Sequence, residues 1–292
     1  MTDPIRHESR TPRRRRLRTV LIGAGVSLCL VGIALAASPP KAWREYVGME
    51  YSAFPLPSDY MVPAEWTFGR LMYPPCAGCS RYGGSFGDWR YGGTTWTIDY
   101  PSADRHIVQM VRRLTAVDAR SVEQPVSLED EDDVFNWPWL YAVEVGTWDL
   151  SDEQAAKLRE YLLRGGFLMV DDFHGTIEWS IFMESMQRVF PDRPVVEIPD
   201  TDQIFHTFWD TVDRQQIPGL QFVYTSRTYE QDGYTARWRG IYDDEGRVMV
   251  AICHNMDLGD AVEHSDNPLY PEDYSAQAMR IFINYIIYSM SH

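Results

Sequence analysis

Gly165-Gly166-Phe167-Leu168-Met169-Val170-Asp171-Asp172-Phe173-His174-Gly175 decides the fold class. The glycine pair ends a helix, four apolar residues make a short buried strand, and two carboxylates and an imidazole stand where that strand stops. In an open α/β sheet, ligands bind beyond the carboxyl ends of the strands, where the winding reverses. Adjacent aspartates at such an edge are costly to desolvate unless a cation or hydrogen-bond donors meet them. The stretch therefore marks a place for a site before it indicates a reaction.

On either side, strand and helix alternate. Ser151 with Gln154 forms a capping box for a helix over 152–164, which Gly165-Gly166 closes. Before it, residues 66–73, 126–128 and 140–145 read as strands, and a helix opens at Ser102 behind Pro101. That helix carries Ile107, Val108, Val111 and Leu114 on one face. After the central strand come a helix over 178–190 stopped by Pro191 and a strand over 195–198. A hairpin of 235–242 with 247–253 turns about Asp244-Glu245-Gly246, and an apolar-rich helix over 274–290 closes the chain. Such alternation predicts an α/β fold, a three-layer domain whose mainly parallel sheet is covered by helices on both faces. The glycine loop at 83–93 is not a phosphate loop: its spacing is wrong, and no Lys-Ser/Thr pair opens the next helix.

The chain has 292 residues, 45% of them hydrophobic, with Trp, Tyr and Phe spread evenly, which indicates a real core. Charge is uneven. Residues 1–18 hold seven arginines against Asp3 and Glu8, a balance of +5, so the rest carries −20 of a total of −15. An acidic body of that size disfavours nucleic acid, whose phosphates need Lys and Arg to displace counterions, and none is expected as a partner. It suits cations or a basic partner.

Residues 1–18 read as a basic cytoplasmic region and 19–37 as an uncharged helix. At ~1.5 Å per residue that helix is about 28 Å long, the thickness of a hydrocarbon core. The arginines hold their end inside, so the chain beyond Pro39 is exported. The expectation is a single-pass anchor in the cell membrane with the C-terminal domain extracytoplasmic. Ala34-Leu35-Ala36 also fits a signal peptidase, and a secreted or periplasmic form cleaved near Ala36 is the alternative. Residues 38–64, rich in Pro, Tyr and Ser, read as a linker, and 65–292 as the folded domain. Cys76 and Cys79 are expected to form a disulfide in an exported chain, whereas Cys253 reads as a small buried hydrophobe.

The run after Cys253 holds His254, Asn255, Asp257, Asp260, Glu263, His264 and Asp266, and it can reach the same edge as Asp171, Asp172 and His174. Imidazole with carboxylate ligates zinc, manganese or iron, and equally hydrogen-bonds a sugar. The competing reading has Asp257 and Asp260 capping turns in a solvated acidic surface, and no His-Glu-x-x-His phrase speaks for a catalytic metal. Candidates for catalysis are Asp171, Asp172, His174 and His254. Candidates for ligand binding are Arg90, Asp171, Asp172, Asn255, Asp257, Asp260, Glu263 and His264. Arg90 is expected to come from the glycine loop and pair Asp171 or Asp172, whose mutual repulsion otherwise raises one pKa.

Several phrases carry a resemblance: Asp99-Tyr100-Pro101 with Ala103-Asp104-Arg105, Arg113-Leu114-Thr115, Gly165-Gly166-Phe167 with Asp171-Asp172, and Phe190-Pro191-Asp192. The run from Asn255 to Ala261, then Glu263-His264, Tyr270-Pro271, Ile283-Asn284-Tyr285 and the closing Ser291-His292 complete it. Residues 65–292 thereby resemble a bacterial family known as domain of unknown function 4159. The resemblance implies a flavodoxin-like fold similar to the class I glutamine amidotransferase group, near the trehalose-utilisation-like proteins. This chain departs from the amidotransferase pattern. No Cys stands on a strand-to-helix elbow, Asp171-Asp172 occupies the comparable strand end, and a carboxylate cannot replace a thiolate in attacking glutamine. Cys253-His254 is no dyad, since strand neighbours point to opposite faces. The family is similar to proteins encoded beside AAA-type ATPases and von Willebrand-type domains, which implies an envelope complex. The expected function is an exported, membrane-tethered binding or interaction domain of the cell envelope. The alternative is a hydrolase acting on carbohydrate or another envelope substrate, with a divalent metal as its cofactor.

Overall fold

Residues 39–51, 54–79 and 87–292 are described by a computed structural model. Its strands are β1 (Gly69–Met72), β2 (Gln124–Ser127), β3 (Trp139–Val143), β4 (Phe167–Asp171), β5 (Val196–Glu197), β6 (Arg237–Tyr242) and β7 (Val248–His254). They form one sheet in the order β2-β1-β3-β4-β7-β6-β5. The five strands from β2 to β7 in that order are parallel, and β6 and β5 extend the sheet antiparallel. β1 has β2 on one side and β3 on the other, so the winding reverses between β1 and β3.

The helices are α1 (Ser102–Leu114), α2 (Asp152–Leu163), α3 (Gly175–Val189), α4 (Gln221–Thr225), α5 (Leu258–Glu263) and α6 (Glu272–Ser291). The period-two alternation of β4 sorts the two layers of the core. Phe167 and Met169 pack with Ile107 and Val111 of α1 and with Phe282 and Tyr285 of α6. Leu168 and Val170 pack with Leu158 and Leu162 of α2 and with Phe182 and Met186 of α3. A strand covered on both faces must be apolar at every position, which is why this segment reads as a continuous apolar run. Each fully buried side chain of this kind is worth about 1.5–3 kcal/mol. Phe167 also stacks on Trp139 of the neighbouring strand, ring centroids 5.1 Å apart. Asp171 continues the odd-numbered set and so enters the layer of α1, α5 and α6.

Local signals and observed ends agree at α2, where Ser151 and Gln154 make both bonds of the capping box. α3 starts at Gly175, earlier than the apolar pattern indicates. Its first turn is held by acceptors from elsewhere: Asn255 Oδ1 takes Gly175 N–H at 2.8 Å, and Asp232 Oδ1 takes Thr176 N–H at 2.9 Å.

The segment at 39–64 differs from a free linker, because Pro39–His292 forms one compact unit. Lys41 N–H donates to Asp133, Glu45 pairs Arg105 at 2.9 Å, and Arg112 pairs Asp59 at 2.7 Å. Tyr46 packs edge-on against Trp96, and the carbonyls of Phe54 and Pro55 accept from Arg105 of α1. The uncharged run at 19–37 lies outside the described residues. Among those described, no helix is long and apolar enough to cross a membrane. Cys76 and Cys79 are joined by a disulfide, Cα to Cα 5.5 Å, in the loop after β1.

Candidate functional site

At the carboxyl end of β4, Asp171 and Asp172 part ways. Asp171 is fully buried, and its Oδ2 accepts Leu258 N–H at 2.7 Å, Gly259 N–H at 2.9 Å and Tyr141 O–H at 3.2 Å. It therefore holds the first turn of α5 against the sheet. Burial raises its pKa to about 7, against the lowering effect of those backbone donors. Asp172 follows the strand at φ +48°, with its N–H on Met256 O. Its Oδ1 lies 3.2 Å from His174 Nε2.

Asp172 meets two other buried aspartates. One is Asp257, which precedes α5 and accepts Asp260 N–H on Oδ1 at 2.9 Å. The other is Asp99, in the turn before α1 at φ +59°. Asp99, Asp172 and Asp257 each bring a carboxylate oxygen within 4.8 Å of the other two. Burial, followed by the neighbouring carboxylates, holds Asp99 and Asp257 well above the usual carboxylate range. Two ionised carboxylates 4 Å apart repel by about 4 kcal/mol even at an effective dielectric near 20, so the trio needs protons or a cation. Asp99 Oδ2 has no hydrogen-bond partner, and Asp99 is only 3% exposed.

The carboxylates continue outward along α5. Glu50, Asp99 and Glu263 form a second convergent set, and Asp260, Glu263 and His264 a third, each within 4.8 Å. Burial raises Glu263 to about 7, and the hydrogen bond to Asp260 raises His264. Glycine makes the crowding possible. A Cβ on Gly259 would lie 2.6 Å from Tyr141 Oη and 2.9 Å from Asp99 Oδ2, and one on Gly219 would lie 2.7 Å from Asp260 Oδ2. Arg70, a buried cation of this layer, is already committed to Asp104 and to the carbonyls of Trp96 and Ile98.

The remaining sequence candidates fall elsewhere. Asn255 sits at φ +65° and spends its side chain on Gly175 N–H and Thr235 O, which is a structural task. His254 packs beside the stacked rings of Phe173 and Trp179, 4.8 Å from each, with Nε2 3.1 Å from Gly175 O. Burial, helped by Arg239, His174 and Arg237, lowers its pKa to about 4, so it is a neutral packing group at pH 7. Arg90 lies away from the expected position. It does not pair Asp171 or Asp172 but makes a bidentate pair with Glu129, at 2.7 and 2.8 Å, and contacts Asp88 on the exposed surface. It stands beside the end of β2, two residues beyond which Glu129 lies.

Asp99 and Glu50 escaped the sequence reading. Asp99 stands in a recognisable phrase, yet only the crossover from β1 to α1 brings it to β4, and Glu50 arrives on a segment that looks like a linker. Glu50 is fixed there by Asp99 N–H, which donates to Glu50 Oε2 at 2.9 Å.

Residues 85–290 match the family model described as Domain of unknown function (DUF4159), and the chain belongs to that family. No curated protein matches it.

Proposed function

We propose that this family member is an exported binding domain of the cell envelope whose ligand is a hard divalent cation held at the carboxyl edge of the sheet. One observation carries the reading: buried Asp99, Asp172 and Asp257 bring their oxygens within 4.8 Å of one another. That spacing is the diameter of a coordination shell, since bonds of about 2.0–2.6 Å set opposite oxygens about 4–5 Å apart. Asp99 Oδ2, buried and without a partner, supplies a lone pair ready for the ion. Carboxylate oxygens without sulfur suit magnesium, manganese or calcium.

The order β2-β1-β3-β4-β7 corresponds to the flavodoxin-like order 2-1-3-4-5, which supports a scaffold like that of the class I glutamine amidotransferases. Amidotransferase chemistry is absent from this reading, because Asp171-Asp172 takes the strand end and Cys253 is buried within β7. Export rests on the arginine block and the uncharged run at 19–37, and a Cys76–Cys79 disulfide suits an oxidising compartment. Membership of an envelope complex with AAA-type ATPases or von Willebrand-type proteins rests on the family resemblance alone. A hydrolase is the second reading, favoured by His174. Its Nδ1 is buried without a partner, and its Nε2 faces Asp172, so it can take a proton at the edge of the cation site.

Two measurements decide these points. Titration of the full-length protein in detergent with manganese should show saturable binding, weakened at least about tenfold by Asp99→Asn. No heat or stabilisation from manganese, magnesium or calcium in the wild type would remove the cation reading. An alkaline phosphatase fusion after residue 60 should be active, and a working cytoplasmic reporter at that point would remove export.

A further inference from the structure

We infer that the edge holds two cations bridged by Asp99, one in an all-oxygen set and one in an outer set that Glu263 joins to Asp260 and His264. This rests on the cation reading above and goes beyond it in number and kind of ion. Asp99 belongs both to the set with Asp172 and Asp257 and to the set with Glu50 and Glu263. Glu263 belongs to that second set and to the one with Asp260 and His264. A carboxylate has two oxygens, and sharing them between ions about 3.5–4 Å apart is the ordinary construction of a two-metal site.

Each shared residue shows a free atom. Asp99 Oδ2 and Glu263 Oε1 are both buried without hydrogen-bond partners, and both residues are 3% exposed. Asp99 Oδ2 is open to one ion and Glu263 Oε1 to the other, while Tyr51 bonds the Glu263 side chain and Glu50 holds the Asp99 backbone N–H. Charge points the same way. The linked sets contain Glu50, Asp99, Asp172, Asp257, Asp260 and Glu263, six carboxylates against His264. One divalent ion leaves a formal excess of four negative charges, and two ions leave two, with Glu50 exposed to solvent.

The two sets differ in donors, and the difference should sort metals. Asp99, Asp172 and Asp257 offer oxygen alone, which magnesium accepts. The outer set adds an imidazole, which magnesium disfavours and manganese tolerates. Full-length protein in detergent, dialysed against manganese and then metal-free buffer, should retain two manganese per chain by elemental analysis, their spins exchange-coupled. Magnesium should fill one position. His264→Ala should retain one manganese and lose the coupled signal. Glu50→Gln keeps an acceptor for Asp99 N–H at an exposed position, so its fold is safe, and it should weaken the second ion about tenfold. One manganese in the wild type, unchanged by His264→Ala and Glu50→Gln, would overturn the two-ion site and leave the single-ion reading intact. None at all would overturn both.

Discussion

Asp171→Ala is expected to destabilise the protein by about 3 kcal/mol, read as a fall in the urea midpoint of metal-free protein at pH 7. Asp171 Oδ2 is the acceptor for Leu258 N–H, Gly259 N–H and Tyr141 O–H in a fully buried layer. Each donor left without a partner costs about 1–3 kcal/mol. Part of that is offset, because alanine also removes a carboxyl whose burial pushes its pKa to about 7. Amide exchange at Leu258 and Gly259 should quicken most, since α5 loses the anchor of its first turn. Asp171→Asn should fall between alanine and the wild type, keeping an acceptor oxygen without the charge. A loss under about 1 kcal/mol for alanine, well below the cost of one unmet donor, would show that α5 is held by something else.

What this residue does explains where the sequence was readable. β4 lies between a glycine stop and a turn, its apolar run needs both layers of helices, and those signals are local. The capping box of α2 and the hairpin about Asp244-Glu245-Gly246 are local as well. α5 is not. It has six residues, too few for a periodic face, and its first turn is tied by a carboxylate 87 positions away. The same holds for the site. Asp172, Asp257, Asp260, Glu263 and His264 were visible as polar residues after strands, but Asp99 and Glu50 reach them through the fold. Arg90 shows the reverse error: a charge complement inferred from sequence was met by Glu129, the nearer acid. Asn255 and His254 sit in the right run, yet they brace α3 and the Phe173–Trp179 stack.

Asp172→Asn should have the opposite profile from its neighbour: a fold kept or strengthened and a ligand response lost. Asparagine tolerates the φ of +48° at this position, and its Oδ1 can still meet His174 Nε2, so backbone and contact survive. The substitution removes one negative charge from the trio with Asp99 and Asp257, whose carboxyls burial first and neighbouring carboxylates second hold well above the usual range. Metal-free protein should therefore gain about 1–2 kcal/mol at pH 7, a common trade when a functional group is neutralised. The wild type in magnesium at 100 times its dissociation constant should gain about 2.7 kcal/mol, or about 5–10 °C in melting temperature for a domain of this size. The variant should show almost none of that shift. If it kept the full shift, Asp172 would not be a ligand and the cation would have to lie along α5 with Asp260, Glu263 and His264. If instead the metal-free variant melted well below the wild type, the carboxylate would be holding the strand end, and Asp171 and Asp172 would both be structural.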